Sequence, residues 1–239
     1  MFKKVLLLGV ILISTYSFAN ESVSDTIDWS YVGRTGSDHW SKLDKKYMEC
    51  NYGNTQSPIN LEKEHLLSNK EKIKFHYEKC DNISSFKESK HIEIGNKIYK
   101  LIKFHFHMPS EHSIDHMRYP AELHLVHMDD KGKLAVVGIF ITIGKESNNT
   151  IDSIIAATDK SNKEKYDVED GNLMSLIPED KSYFHYQGSL TTPPCSDGVE
   201  WYVLKNPLAI SQEEMKGLRK LIPEDNSRPI QDAKNRIAQ

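Results

Sequence analysis

Polar and apolar residues alternate through most of KIYKLIKFHFHM, the segment that spans residues 97–108. Side chains two apart on a β-strand project from the same face, so His105 and His107 share one face while Phe104 and Phe106 share the other. A His-x-His pair by itself is a weak signal, because half-buried polar pairs on strands are common without a metal. The segment therefore predicts a strand that offers two imidazoles on one face.

Neighbouring segments extend this strand into a sheet. Ala121–Asp129 alternates in the same way, and Leu134–Ile143 is a continuous β-branched run typical of a buried strand. The residues 129–132 between them have turn chemistry and predict an antiparallel hairpin.

Helical signals are fewer than strand signals. Thr150–Ala157 has apolar residues at helical spacing, and Ser211 with Glu214 forms a capping box for a helix that Pro223 ends. We predict a β-rich α+β fold: a single domain with short peripheral helices.

A third histidine follows on the second strand, where Glu122 and His124 are two apart and share a face. If the two strands lie in one sheet, His105, His107 and His124 form a three-imidazole site. Three neutral imidazoles leave tetrahedral Zn²⁺ one open position, which is the arrangement of a catalytic site. Glu122 is placed to accept the ring N–H of a ligating histidine and fix its tautomer.

The other histidines carry no functional signal. We expect His127 to face the opposite side of its strand as a core histidine. Those near turns are interpreted as structural: His112, His116 and His185. Those expected at the surface are His39, His65, His76 and His91.

The N-terminus has the pattern of a secretory signal peptide. Lys3 and Lys4 precede an apolar run, residues 5–13, which is too short for the roughly 20 residues of a membrane span. The small residues Ser17 and Ala19, separated by one residue, predict cleavage after Ala19, so we expect a signal peptide at 1–19 and one domain at 20–239. A net charge of −3 with interspersed charges predicts neither a nucleic-acid nor a membrane partner.

Three cysteines in an exported chain permit one disulfide and leave one thiol over, and spacing alone does not choose among Cys50, Cys80 and Cys195. The last of these ends a Gly-Ser-Leu-Thr-Thr-Pro-Pro-Cys segment, residues 188–195. Its two prolines predict a rigid extended loop.

Taken together, the motifs resemble those of the α-carbonic anhydrases. They run in family order along almost the whole mature chain: Asp28–Tyr31, Gly36–Trp40, Gln56–Leu61, Phe104–His107, Pro109–His112, Ala121–His127, Ser189–Cys195, Asn226–Pro229 and Asn235–Arg236. The resemblance implies a single domain around a large, twisted, mostly antiparallel sheet. It also implies that the chain is a carbonate dehydratase, a carbon–oxygen lyase that converts carbon dioxide and bicarbonate through a zinc-activated hydroxide.

The resemblance assigns roles to particular residues. It implies His105, His107 and His124 as zinc ligands, and the backbone carbonyl of Asn226 as the acceptor for His107. It implies that Thr191 accepts a hydrogen bond from the hydroxide and donates its own to Glu111, which positions the nucleophile.

The substrate pocket implied by the family is mostly apolar. Its residues here are Val126, Val136, Leu190, Thr192, Val199 and Trp201. The resemblance also implies a disulfide between Cys50 and Cys195, with Cys80 free. It further implies a periplasmic or secreted location.

Two departures from the family pattern leave a second function open. Lys103 stands where the family has a Gln that accepts from the first ligand, and an ammonium has donors only. The stretch Tyr77–Gly95 is shortened and lacks the family's proton-relaying His, with Asp81–Ser84 in that region and His91 as the nearest histidine. The alternative is a zinc-binding protein of the same fold with little or no turnover.

Overall fold

A computed structural model describes residues 28–62, 71–77, 90–161 and 172–233, without the side chains of 158–161. The predicted signal peptide at 1–19 lies outside these ranges, and so do His65, Cys80 and the segment 81–84. Every residue assigned above to the metal, the pocket or the disulfide lies within them.

One sheet dominates the described part of the chain. Its strands are β2 (Ile73–His76), β3 (His91–Ile94), β4 (Lys97–His107), β6 (Ala121–Met128), β7 (Leu134–Ile143), β8 (Tyr183–Ser189) and β9 (Asp197–Ile210). They pair in the order β2-β3-β4-β6-β7-β9-β8, and each pair is antiparallel except β7 with β9. The short strands β1 (Asn60–Leu61) and β5 (Ser113–Ile114) form a separate parallel pair. The expected large, mostly antiparallel sheet is confirmed.

The hairpin of β6 and β7 forms where the turn chemistry predicted it. Asp129 Oδ1 accepts from the backbone N–H of Lys131 and of Lys133, at 2.9 and 2.8 Å. Gly132 adopts a positive φ of 81°, a conformation that side chains with a Cβ rarely take.

The α-helices of the described residues are short and peripheral: α1 (Trp40–Leu43), α2 (Glu49–Tyr52), α3 (Asn149–Ser161) and α4 (Gln212–Leu221). Both predicted helices are present, and α3 is longer than the pattern indicated. The capping box of α4 is formed: Ser211 Oγ accepts from Glu214 N at 3.2 Å, and Glu214 Oε2 accepts from Ser211 N at 2.7 Å. None of the described helices is both long and apolar enough to cross a membrane.

The two faces of the sheet have different environments. One face packs the main apolar core, which includes Phe106, Leu123, Leu125, Val137 and Ile139. The other carries a smaller apolar cluster around Val126, Val136, Phe140, Val199 and Trp201. Strand alternation places the histidines of β4 on this second face, opposite the phenylalanines.

The disulfide implied by the resemblance is formed between Cys50, in α2, and Cys195, in the segment between β8 and β9. It spans 145 residues of sequence and lies in a small cluster with Trp40. Arg228 stacks its guanidinium over the Trp40 ring at 5.7 Å. Through these contacts the opening segment is held against the loop that carries Thr191.

Candidate metal centre

Strand register brings the three predicted imidazoles together. In the antiparallel pair of β4 and β6, His105 lies opposite His124, and His107 lies opposite Glu122. One ligand atom from each of His105, His107 and His124 falls within 4.8 Å of the other two. The two strands that carry the histidines therefore lie in one sheet, as the three-imidazole site requires.

Two of the three rings are oriented by outer hydrogen bonds. His107 Nδ1 donates to the Asn226 carbonyl at 2.7 Å, and His124 Nε2 donates to Glu122 Oε1 at 2.9 Å. This leaves His107 Nε2 and His124 Nδ1 as the atoms able to bind a cation. Burial holds the pKa of His107 below its usual value, against the opposing effect of the Glu111 carboxylate, so the ring stays neutral.

His105 differs from the other two rings, because it has no such outer partner within the described part of the chain. No hydrogen bond joins its ring to another of the described residues, and the side chain of Lys103, two residues before it, is exposed. Burial first, and then the neighbouring imidazoles of His107 and His124, hold the pKa of His105 well below its usual value. The ring is therefore neutral but less firmly oriented than the other two.

Glu122 is a fully buried carboxylate whose two oxygens are saturated by donors. Oε2 accepts from the backbone N–H of Glu111 and of His112, both at 2.9 Å. Oε1 accepts from His112 Nδ1 at 2.8 Å and from His124 Nε2. Burial alone would raise the pKa of Glu122, but the imidazoles of His112 and His124 hold it well below its usual range.

Glu111 lies at the same centre and is fully buried, and Thr191, which is 5% exposed, lies on the loop between β8 and β9. Glu111 Oε1 accepts from the backbone N–H of Arg228 at 2.8 Å. Its Oε2 is 3.4 Å from His107 Nε2, and it is buried without a hydrogen-bond partner among the described residues. The bond from Thr191 to Glu111 that the resemblance implies is not formed within the described residues.

The apolar residues named for the pocket form one wall beside the histidines. Val126 pairs with Val136 across β6 and β7, and Val136 pairs with Trp201 across β7 and β9. Val199 belongs to the same cluster, and Leu190 packs against it. The Trp201 ring lies 4.9 Å from that of His124. Thr192 is half-buried on the loop between β8 and β9, where its carbonyl accepts from Cys195 N at 2.8 Å.

His112 takes part in the centre, which the sequence pattern did not indicate. The ring is fully buried, and it joins Glu122 to the Tyr186 hydroxyl, which lies 2.6 Å from His112 Nε2. Tyr186 in turn donates to Ser57 Oγ at 2.9 Å. The position of His112 near a turn did not indicate these contacts, because the residues that make them are far apart in sequence.

His127 has the expected core role. It is fully buried on the opposite face, with Nε2 at 2.5 Å from the Tyr77 hydroxyl and Nδ1 at 3.3 Å from the Ala135 carbonyl. His76 and His91, expected at the surface, are instead half-buried and stacked on each other.

Comparisons with known proteins point to one family. The model of the eukaryotic-type carbonic anhydrases matches residues 35–239. A carbonic anhydrase of Nostoc sp. is 32% identical, covering 89% of this chain and 85% of the relative, and one of Klebsiella pneumoniae is 33% identical, covering 87% and 89%. The α-carbonic anhydrase of Thermovibrio ammonificans, solved with the inhibitor sulfanilamide, superposes with a TM-score of 0.78 at 30% identity, covering 88% of this chain and 97% of that one.

Proposed function

The chain belongs to the eukaryotic-type (alpha) carbonic anhydrase family, and from that premise we propose that it hydrates carbon dioxide at a zinc ion held by His105, His107 and His124. Members of this family are carbonate dehydratases, so carbon dioxide and bicarbonate are the substrates that membership supports. The observation that carries the assignment of residues is the convergence of three imidazoles within 4.8 Å beside a buried carboxylate.

The donor set suits zinc. His107 Nε2 is buried without a hydrogen-bond partner among the described residues, and such an atom calls for a ligand or an ion. Three neutral imidazoles with a fourth position open are typical of catalytic Zn²⁺. When bound, zinc supplies the Lewis acidity that lowers the pKa of water to about 7, a value established for carbonic anhydrases as a class.

The chain's own contribution begins with orientation. The carbonyl of Asn226 and the carboxylate of Glu122 each hold a ring N–H, which fixes the tautomers of His107 and His124 and raises their basicity. The four donors on Glu122 keep that carboxylate in place. Two of the three ligands are therefore positioned before any cation binds.

Glu111 and Thr191 then position the nucleophile. Because Glu111 Oε1 is held by Arg228 N, Oε2, which has no hydrogen-bond partner among the described residues, is available to accept a hydrogen bond from the Thr191 hydroxyl. Thr191 Oγ1 would then be left as an acceptor for a hydrogen bond from the attacking hydroxide, and this bond would direct an oxygen lone pair toward the substrate carbon. Such alignment contributes to rate by placing the reacting atoms in a productive geometry.

The apolar wall provides a place for carbon dioxide. The buried side chains of Val126, Val136, Val199 and Trp201 offer no strong hydrogen-bond donor to the substrate, since Trp201 Nε1 donates to the Ser189 carbonyl at 3.0 Å. A linear apolar molecule is held there mainly by exclusion of water. Leu190 and Thr192 would complete the wall from the loop between β8 and β9.

A pair of variants tests this assignment. Thr191→Val keeps the shape of the side chain but removes the hydroxyl, whereas Thr191→Ser keeps the hydroxyl. We expect Thr191→Val to lower kcat/KM for carbon dioxide hydration about 100-fold, the order of loss that misalignment causes, and Thr191→Ser to stay close to the wild type. Both variants should bind one equivalent of zinc at this centre, measured on the same samples. Equal activity in the two variants would contradict the role of Thr191.

A zinc-dependence experiment tests the reaction itself. Removal of metal with a chelator should abolish stopped-flow hydration, and addition of zinc should restore it in the wild type but not in His124→Ala. Hydration that survives in the stripped protein would overturn the proposal.

The second candidate is a zinc-binding protein of the same fold with little turnover. One observation favours it: His105 has no outer acceptor among the described residues, and Lys103 offers donors only. Full zinc occupancy without measurable hydration would support this candidate over the first.

We further propose that the chain is exported, to the periplasm or beyond, with cleavage after Ala19. The disulfide between Cys50 and Cys195 supports an oxidising compartment. N-terminal sequencing of the protein recovered from a Gram-negative expression host should give Asn20 as the first residue.

A further inference from the structure

A second group of metal-ligating side chains lies on the pair β2 and β3, away from the three-imidazole centre. His76 and His91 are directly opposite each other in the antiparallel register, and Glu93 is two residues after His91 on the same strand. Alternation puts all three on the face opposite the core residues of these strands. One ligand atom from each lies within 4.8 Å of the other two.

One ring nitrogen of this group, in His76, makes no hydrogen bond to the described residues. Glu93 Oε1 is 3.5 Å from His76 Nε2 and 3.9 Å from His91 Nε2, while Oε2 accepts from Lys74 Nζ at 3.2 Å. His76 Nε2 is buried and makes no hydrogen bond within the described residues. A buried ring nitrogen beside a carboxylate oxygen and a second imidazole is an arrangement that a cation or an ordered water would satisfy.

The spacing is close to that of a zinc site. Ligands at 2.0–2.1 Å in a tetrahedron stand about 3.4 Å apart, and the distance from Glu93 Oε1 to His76 Nε2 already has this value within 0.1 Å. The two rings are nearly parallel, at 11°, with centroids 4.4 Å apart. One ring must therefore turn about its Cβ–Cγ bond before both lone pairs meet at one point, and that torsion is broad in histidine.

We propose that His76, His91 and Glu93 form a second zinc site, which ties the edge strand β2 to β3. Two imidazoles and one carboxylate are a recognised donor set for Zn²⁺. The site is separate from the first. His91 pairs with Lys100 on β4, and His105 lies five residues further along that strand. At 3.3 Å per residue, the strand from Lys100 to His105 is about 16 Å long. Lys74 beside Glu93 weakens the site, so zinc binds here less tightly than at the first centre.

Zinc stoichiometry of the untagged full-length chain tests the proposal, by equilibrium dialysis over a series of buffered free Zn²⁺ concentrations. We expect two equivalents in the wild type, the second weaker than the first. His91→Gln and Glu93→Gln should each raise the Kd of the weaker equivalent by more than the 10–100-fold that loss of an outer partner causes. Lys74→Gln is the matched control on the same face; it should retain the second equivalent, with a Kd up to about fivefold lower because a neighbouring charge is removed.

The His105→Ala variant separates this inference from the proposed function. One equivalent that persists in His105→Ala and is lost in Glu93→Gln supports the second site whatever the activity of the first. If the weaker equivalent of zinc survives in both His91→Gln and Glu93→Gln, the assignment is overturned. It is also overturned if the wild type binds a single equivalent of zinc and His105→Ala binds none. Loss of the second equivalent in Lys74→Gln would also overturn it.

Discussion

Replacement of Glu122 by Gln tests how far the metal centre depends on one buried carboxylate. Both carboxylate oxygens accept only: Oε2 from the backbone N–H of Glu111 and His112, and Oε1 from the rings of His112 and His124. A glutamine side chain keeps one oxygen and replaces the other with an NH₂ group, which is a donor. Two of the four donors therefore lose their acceptor and face another donor.

The expected effect has two parts. Each buried donor left unsatisfied costs about 1–3 kcal/mol, so we expect Glu122→Gln to lower the free energy of unfolding by about 2–6 kcal/mol. If the amide replaces Oε1, the His124 ring also loses its outer acceptor, and zinc affinity falls about 10–100-fold.

Urea unfolding of the metal-free protein and chelator competition for zinc measure the two parts separately. Glu179→Gln, the same chemical change at an exposed position, is the matched control and should shift stability by no more than about 0.5 kcal/mol. Equal urea midpoints and equal zinc affinities for Glu122→Gln and the wild type would refute the reasoning.

Three other predictions address separate parts of the chain. Lys103→Gln supplies a carbonyl acceptor for His105, so zinc affinity in chelator competition should rise about 10–100-fold, and an unchanged affinity would refute it. Burial lowers the pKa of His127 from 6.5 to about 3. Between these two pH values the unfolded chain binds a proton that the folded chain does not. The free energy of unfolding should therefore fall as the pH drops from 6.5 to 3, by up to about 1.4 kcal/mol per pH unit from this group. Urea midpoints at pH 7 and 4.5 should show a smaller acid loss in His127→Gln than in the wild type. Reduction of the disulfide, whose cysteines are 145 residues apart, should lower the free energy of unfolding by on the order of 4–5 kcal/mol, both in the wild type and in Cys80→Ser. The stability of Cys50→Ser should not change with reductant.

Much of the fold was predictable because its strands follow simple rules. The alternation at 97–108 and the β-branched run of β7 have strand periodicity, and the turn at 129–132 has strong local chemistry. The helix α4 was equally predictable from its capping box. These features depend on neighbours in sequence, which a pattern can read.

The outer contacts of the metal centre were less predictable from pattern alone. The Asn226 carbonyl that holds His107 is 119 residues away, and only the family resemblance indicated it. His112 and Tyr186 are 74 residues apart and carry no shared periodicity. His76 and His91 meet only through the register of β2 and β3, on either side of a segment outside the described residues, so each alone resembled a surface histidine.

Stopped-flow carbon dioxide hydration by the zinc-loaded mature protein, at low and high imidazole buffer, tests the central claim most directly. The proton must leave the centre after each turnover, and from the family resemblance we expect the stretch between Tyr77 and Gly95 to lack the histidine that would relay it. We expect hydration that is present at low buffer and rises with imidazole concentration. Absence of hydration at both concentrations, with zinc bound, would contradict it.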